Sequence, residues 1–291
     1  MSQGNEAENR VASLVTSGFV LGEGPRWHNG RFWFSDIFGG HVYSVEERGD
    51  LRVEVTIDRP SGLGWLPDGS LVVSTLAREK AGQLVGPARI VRVDESGQHN
   101  LVEVTEDNVG FNDMVVHSNG LAYVNFYRGT GGDRDEIWMV RPDGTVACVA
   151  DALSHPNGMV ITPDGGTLLA CETYAHRVIA FTVASDGTLS DKRDFATDIP
   201  WADGLCLDSA GAVWVGSLFA GEFLRAERGG AVTHRVAAPS GHWALAPMLG
   251  GPDRRTLFML TAETDPQRAG NDDSHGFLQS IRVDIPGAGW P

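Results

Sequence analysis

One pattern recurs six times along this chain: a polar or small residue, an apolar stretch, a tight turn about eight residues on, and a second apolar run. The copies begin at Glu23, Ser61, Asn112, Asn157, Asp203 and near His242, so successive starts lie 38 to 51 residues apart. The turn falls at a matching offset in each copy: HNG (28–30), PDG (67–69), SNG (118–120), PDGG (163–166), SAG (209–211) and GGPD (250–253). Such a period, with no long helical periodicity, restricts the chain to a radial array in which each repeat builds one sheet. The expected fold is all-β, a six-bladed β-propeller with four-stranded blades around a central channel. A length of 291 residues would by itself suggest two domains. A closed ring makes one, so the reading is a flexible tail over 1–10 and a single propeller over 11–291.

The first repeat gives the blade plan. Apolar segments at 25–28, 31–37, 40–46 and 51–57 are separated by turn residues and read as four antiparallel strands. The stretch Val11–Val20 is expected to complete the last blade beside a strand near Gly276–Ile285, hiding the edges an open array would leave unpaired. A variable region at 266–274 fits either face of the ring, and two segments exceed the plan, at 77–86 and 127–135. Long loops in compact folds often carry function, which makes these candidates for a rim over the channel.

A formal charge of −15 argues against a phosphate backbone or an anionic membrane as partner. Cys148, Cys171 and Cys206 are odd in number and unpaired in spacing, which argues against a disulfide framework. The N-terminus lacks an apolar signal core, and no apolar run reaches membrane-spanning length. These features together predict a cytoplasmic protein acting on a small molecule; they leave its oligomeric state open.

A propeller brings the equivalent positions of its blades to one channel. Glu23, Asn157 and Asp203 open three copies and offer two carboxylates and an amide oxygen. Singly, Asn157-Gly158 and Asp203-Gly204 are ordinary turn dipeptides. In phase, the three form an all-oxygen set suited to a hard cation: Ca²⁺ first, with Mg²⁺, Mn²⁺ or Zn²⁺ as alternatives. The histidines and cysteines show no zinc-site spacing. There is no G-x-S-x-G nucleophile elbow, P-loop or dinucleotide fingerprint.

The motifs EGPRW (23–27), FND (111–113), HPNGM (155–159), ADGLCLD (202–208) and APMLGGPDRRTLFMLTA (246–262) resemble the senescence marker protein/gluconolactonase/luciferin-regenerating-enzyme family, over roughly residues 11–285. The resemblance implies a six-bladed propeller with one divalent cation held by Glu23, Asn157 and Asp203. It implies that Asn112 contacts the substrate or a water carried by the metal. It also implies lactone or ester hydrolysis, with Asp203 both ligand and general base and Glu23 mainly a ligand. One departure bears on specificity. Sugar-lactone hydrolases of the family commonly have Arg two residues before the FND asparagine, where this chain has Gly110. Residues expected nearby are apolar or aromatic: Phe111, Phe126, Tyr127, Trp201, Phe219 and Trp243. His155 joins them as a substrate contact at the rim, and Arg128 is the candidate to replace the lost guanidinium. A lactone or ester less polar than gluconolactone is the expected substrate. Two alternatives stay open, a non-hydrolytic cyclase or isomerase on the same scaffold and a non-enzymatic calcium-binding propeller.

Overall fold

The computed structural model describes residues 12–47, 49–80, 83–129, 134–270 and 273–289. The tail expected over 1–10 lies outside them. Six four-stranded antiparallel sheets follow one another around a channel. Blade 1 is Gly22–His28, Arg31–Asp36, His41–Val45 and Leu51–Thr56. Blade 2 is Pro60–Trp65, Leu71–Thr75, Ala88–Asp94 and Gly97–Val104. Blade 3 is Val109–Val116, Ala122–Arg128, Asp135–Val140 and Val146–Leu153, and blade 4 is Pro156–Ile161, Thr167–Glu172, Arg177–Val183 and Leu189–Ala196. Blade 5 is Ala202–Leu207, Val213–Ser217, Glu222–Ala226 and Val232–Ala237. Blade 6 is made by His242–Gly250, Thr256–Glu263 and His275–Arg282, and is completed by Ser13–Phe19 from the other end of the chain. That last strand pairs antiparallel with His275–Arg282, from Ser13 opposite Ser280 to Phe19 opposite Gly276. It closes the ring and covers an edge.

The apolar cores lie between blades. Phe32 and Phe34 of blade 1 meet Leu257 and Phe258 of blade 6, and Phe111 and Met114 of blade 3 meet Val72 and Ile90 of blade 2. Among the described residues no helix is long and apolar enough to cross a membrane, and the three cysteines are free. The segment at 77–86 is not an open loop: it carries a hairpin of Arg78–Lys80 and Gln83–Val85. The segment at 266–274 holds a short helix, Pro266–Gly270.

Every inner strand breaks register at one level. Two of its residues stand opposite one of the second strand: Gly24-Pro25, Ser61-Gly62, Asn112-Asp113, Asn157-Gly158, Asp203-Gly204 and Leu245-Ala246. This two-against-one β-bulge bends the strand and re-aims its side chains. It also revises the sequence reading. Asn157-Gly158 and Asp203-Gly204 are bulges, not turns, and their glycines are there because adjacent inner strands converge. A Cβ on Gly158 would sit 2.6 Å from Gly204 Cα, and one on Gly204 would sit 2.3 Å from Ala246 Cβ. Glu23 lies one position ahead of its bulge, paired with Ser35. The inner strand of blade 1 therefore starts earlier than the sequence suggests. The sixth copy is in phase at Leu245 rather than His242, so blade 6 contributes an apolar residue at this level.

Candidate active site

The bulges put Ser61, Asn112, Asn157 and Asp203 at one level of the channel, with Glu23 beside them. Glu23, Asn157 and Asp203 are buried, at 8, 7 and 3% exposure. Ser61 Oγ donates to Asn112 Oδ1 (2.7 Å), and Asn112 Nδ2 donates to Asn157 Oδ1 (3.3 Å) and to the Tyr127 hydroxyl (2.6 Å). The Tyr127 hydroxyl donates to Pro156 O (2.9 Å). Asn157 Nδ2 donates to Thr173 Oγ1 (3.3 Å), which donates in turn to Ala202 O (2.7 Å). The bulges are also tied blade to blade. Ser74 Oγ donates to Asn112 O, and Asn125 Nδ2 donates to Asn157 O at 2.8 Å.

The electrostatics of this level are unbalanced. Burial raises the Glu23 carboxyl well above its usual range, and the charges of Asp203 and Asp113 push it further. Asp203 is raised well above its usual range by burial and then by Asp113. Asp113, also buried, is raised to about 6, with Arg26 opposing the shift. Arg26 itself is lowered by burial. It reaches from blade 1 to donate to Met114 O of blade 3 and to Pro25 O at 2.7 Å. Asp113 Oδ1 and Arg26 Nε are buried without a hydrogen-bond partner. Three buried carboxylates thus crowd this level, and the Arg26 guanidinium opposes the shift of Asp113 but not those of Glu23 and Asp203. Among the described residues no three His, Cys, Asp or Glu side chains group as a metal site. The donor set at hand is two carboxylates and the oxygen of Asn157. All-oxygen and short of positive charge, it fits a hard divalent cation.

The Asp113 shift yields a prediction for the metal-free protein. Its carboxyl ionises less readily in the folded chain, at about 6, than at its ordinary value of 3.8. The folded state therefore escapes this cost below about pH 4 and bears it fully above about pH 6, where it reaches about 3 kcal/mol. Asp113→Asn is expected to raise the Tm of chelator-treated protein relative to wild type at pH 7 and not at pH 4. An equal difference at both pH values would contradict the assignment.

Above the bulges an arc of rings runs along the mouth from blade 3 to blade 6. His155 is stacked between Tyr127 and Tyr174, with ring centroids at 4.4 and 4.6 Å. Trp201 follows, edge-on to Tyr174 at 6.4 Å and to Phe219 at 5.2 Å, and Phe219 meets Trp243 at 5.0 Å. Tyr174 and Phe219 are 44 and 47% exposed. His155 and Trp201 each stand two residues before a bulge with a left-handed backbone, φ 55° and 50°, a conformation uncommon for non-glycine residues.

Phe126 and Phe111 do not join this mouth. Both are fully buried in the core between blades 2 and 3, where Phe126 stacks on Trp138 at 4.2 Å. Strand alternation explains the correction: Phe126 and Tyr127 are consecutive and point to opposite faces, so only one of them reaches the channel. Tyr127 is buried too, and its hydroxyl is a bridge within the network. Arg128 is spent elsewhere, with Nε 2.7 Å from Glu136 Oε1. Gly110 is roofed by the blade 2 hairpin: a Cβ there would meet Leu84 Cδ1 at 3.3 Å and Ala77 N at 3.6 Å. Leu84, Ala77 and Tyr127 form one apolar cluster. A separate cavity of about 760 Å³, lined by Trp27, Cys206, Met248 and Arg254 among others, lies where the inner strands of blades 1, 5 and 6 end beyond their bulges and contains none of these site residues.

The sequence reading assigned no role to Asp113, Arg26, Ser61, Thr173 or Tyr174. Asp113 and Arg26 lie inside the FND and EGPRW motifs, so their motif membership was a signal. Thr173 and Tyr174 follow a second strand and carry no local signature.

Comparison with known proteins agrees with this fold. The model of the SMP-30/gluconolactonase/LRE-like region matches residues 21–263. A pentonolactonase of Haloferax volcanii is 26% identical over 97% of this chain and 96% of its own. Among solved structures, a luciferin-regenerating enzyme superposes with a TM-score of 0.77 at 15% identity, over 96% of this chain and 97% of that one. Regucalcin of Agrobacterium tumefaciens, described as a calcium-binding protein, superposes with a TM-score of 0.75 at 19% identity, over 97% of each chain. With its ring of six bulged inner strands and a family match over most of its length, this chain belongs to the SMP-30/gluconolactonase/LRE-like family.

Proposed function

We propose that this chain hydrolyses a lactone or related ester at the channel mouth, using a divalent cation, Ca²⁺ first, held by Glu23, Asn157 and Asp203. The observation that carries the proposal is the surplus of buried negative charge at that level of the channel, in a chain whose relatives include a named pentonolactonase. A cation bound there supplies Lewis-acid polarisation of the ester carbonyl and a lowered pKa for coordinated water. Asp203 takes the proton of the attacking water. Burial and then the Asp113 charge raise its carboxyl well above the ordinary range, which favours proton uptake there. Water adds to the carbonyl carbon, the ring C–O bond breaks, and the proton passes to the leaving alkoxide to give a hydroxy acid. Glu23, whose Oε2 accepts from Gly24 N at 3.3 Å, holds the site without moving a proton. Asn112, anchored by Ser61 and Tyr127, lines the substrate side.

The substrate is less polar than gluconolactone. Leu84 covers Gly110, Arg128 is paired with Glu136, and His155, Trp201 and Trp243 stand in an aromatic arc. A panel of sugar, alkyl and aryl lactones followed by pH-stat and product analysis tests the reading. Release of hydroxy acid from the apolar lactones is expected. An isomerised or cyclised product would favour rearranging chemistry, and tight Ca²⁺ binding with no turnover would favour a binding propeller.

A further inference from the structure

We propose that Thr173 is a positioning residue that holds the Asn157 amide with its oxygen, not its nitrogen, toward the cation site. The inference rests on the metal-dependent reading above. Thr173 is buried and follows the second strand of blade 4, and its hydroxyl donates to the carbonyl of Ala202, 2.7 Å away. A hydroxyl has one hydrogen, so a threonine that gives it to a carbonyl can only accept at its other contact. That other contact is the Asn157 amide at 3.3 Å. The group facing Thr173 must therefore be Nδ2, and Oδ1 is turned the other way, where Asn112 Nδ2 donates to it at 3.3 Å.

Asn112 is locked by the same logic. The Tyr127 hydroxyl gives its hydrogen to Pro156 O at 2.9 Å, so it accepts from Asn112 Nδ2 at 2.6 Å, while Ser61 Oγ donates to Asn112 Oδ1 at 2.7 Å. In both cases a hydroxyl on one blade is committed to the carbonyl just before the next blade's bulge. The amide sense matters because Nδ2 has no lone pair to offer a cation. A half-turn of the amide would replace a ligand with a donor of partial positive charge. Thr173 removes that freedom. By gripping Ala202 it also ties the Asn157 bulge to the strand that carries Asp203.

The test is calorimetric titration of Ca²⁺ into chelator-stripped full-length protein. Thr173→Val is expected to weaken Ca²⁺ affinity about 10–100-fold, while Thr173→Ser, which keeps the hydroxyl, stays within about threefold of wild type. A carboxylate has two equivalent oxygens and needs no orienting partner. In an Asn157→Asp background Thr173→Val should therefore change Ca²⁺ affinity by less than about threefold, a contrast that loss of packing alone would not give. If Thr173→Val does not fold, Thr173→Ala is measured in both backgrounds in its place. Wild-type affinity in the valine variant, or the same loss in both backgrounds, overturns the inference. Absence of Ca²⁺ binding by wild type overturns the metal reading itself, and this inference with it.

Discussion

Asp203→Asn is expected to lower kcat/KM for lactone opening by about 10²–10⁴-fold, the range a general base contributes, with further loss from the removed ligand charge. The same substitution is expected to leave the metal-free fold intact or to stabilise it. Asp203 is buried, its own carboxyl is raised by burial and by Asp113, and its charge raises Glu23 in turn. Taking that charge away relieves a repulsion, because among the described residues Arg26 is the one cationic group acting on the cluster and its influence is on Asp113. The two effects point in opposite directions, which separates this account from a merely structural one. A residue needed for packing would lose activity and Tm together. Asp203→Asn should lose activity while the Tm of chelator-treated protein holds or rises, and it should lose most of the stabilisation that Ca²⁺ gives wild type. Normal turnover by the variant would remove both the site and the mechanism.

The second large effect is on substrate preference. The native protein is expected to favour an alkyl or aryl lactone over gluconolactone by about 10–100-fold in kcat/KM, because a charged donor to a polar substrate is worth about 1.5–3 kcal/mol and none is supplied from Gly110 or Arg128. The structure changes how that idea is tested. Arginine placed at Gly110 meets Leu84 Cδ1 at its first side-chain carbon, 3.3 Å away, and the rest of the chain must displace the hairpin. Gly110→Arg alone should therefore cost stability, on the order of 1–3 kcal/mol as overpacking does. Gly110→Arg with Leu84→Ala opens room for the guanidinium, recovers part of the Tm and shifts the preference toward gluconolactone. If the native protein strongly favours gluconolactone, the inference drawn from Gly110 is wrong.

The propeller was legible in the sequence because its signals are local. Turn residues such as Pro67-Asp68-Gly69 and Ser209-Ala210-Gly211 need only their neighbours to act, and their spacing counts the blades. The shared level of Asn157 and Asp203 was legible because the bulge repeats in every blade and keeps them in phase. Glu23 reads as in phase with them, but it stands one position ahead of the shared bulge. Phe126 was misplaced because nearness in sequence to Tyr127 does not survive strand alternation. Thr173 was invisible for a different reason: its two partners, Asn157 and Ala202, lie 16 and 29 residues away and meet it only once blades 4 and 5 are side by side. The segment that carries Leu84 reads as a candidate rim, but that it roofs Gly110 stays hidden until it folds into a hairpin against blade 3.

The rate of lactone opening by chelator-treated protein, before and after Ca²⁺ is restored, bears most directly on whether Glu23, Asn157 and Asp203 serve a metal-assisted hydrolysis. The rate should fall to background on chelation, return with Ca²⁺ in wild type, and fail to return at the same Ca²⁺ concentration in Asn157→Ala. Undiminished opening after chelation, in protein shown to be metal-free, would contradict it.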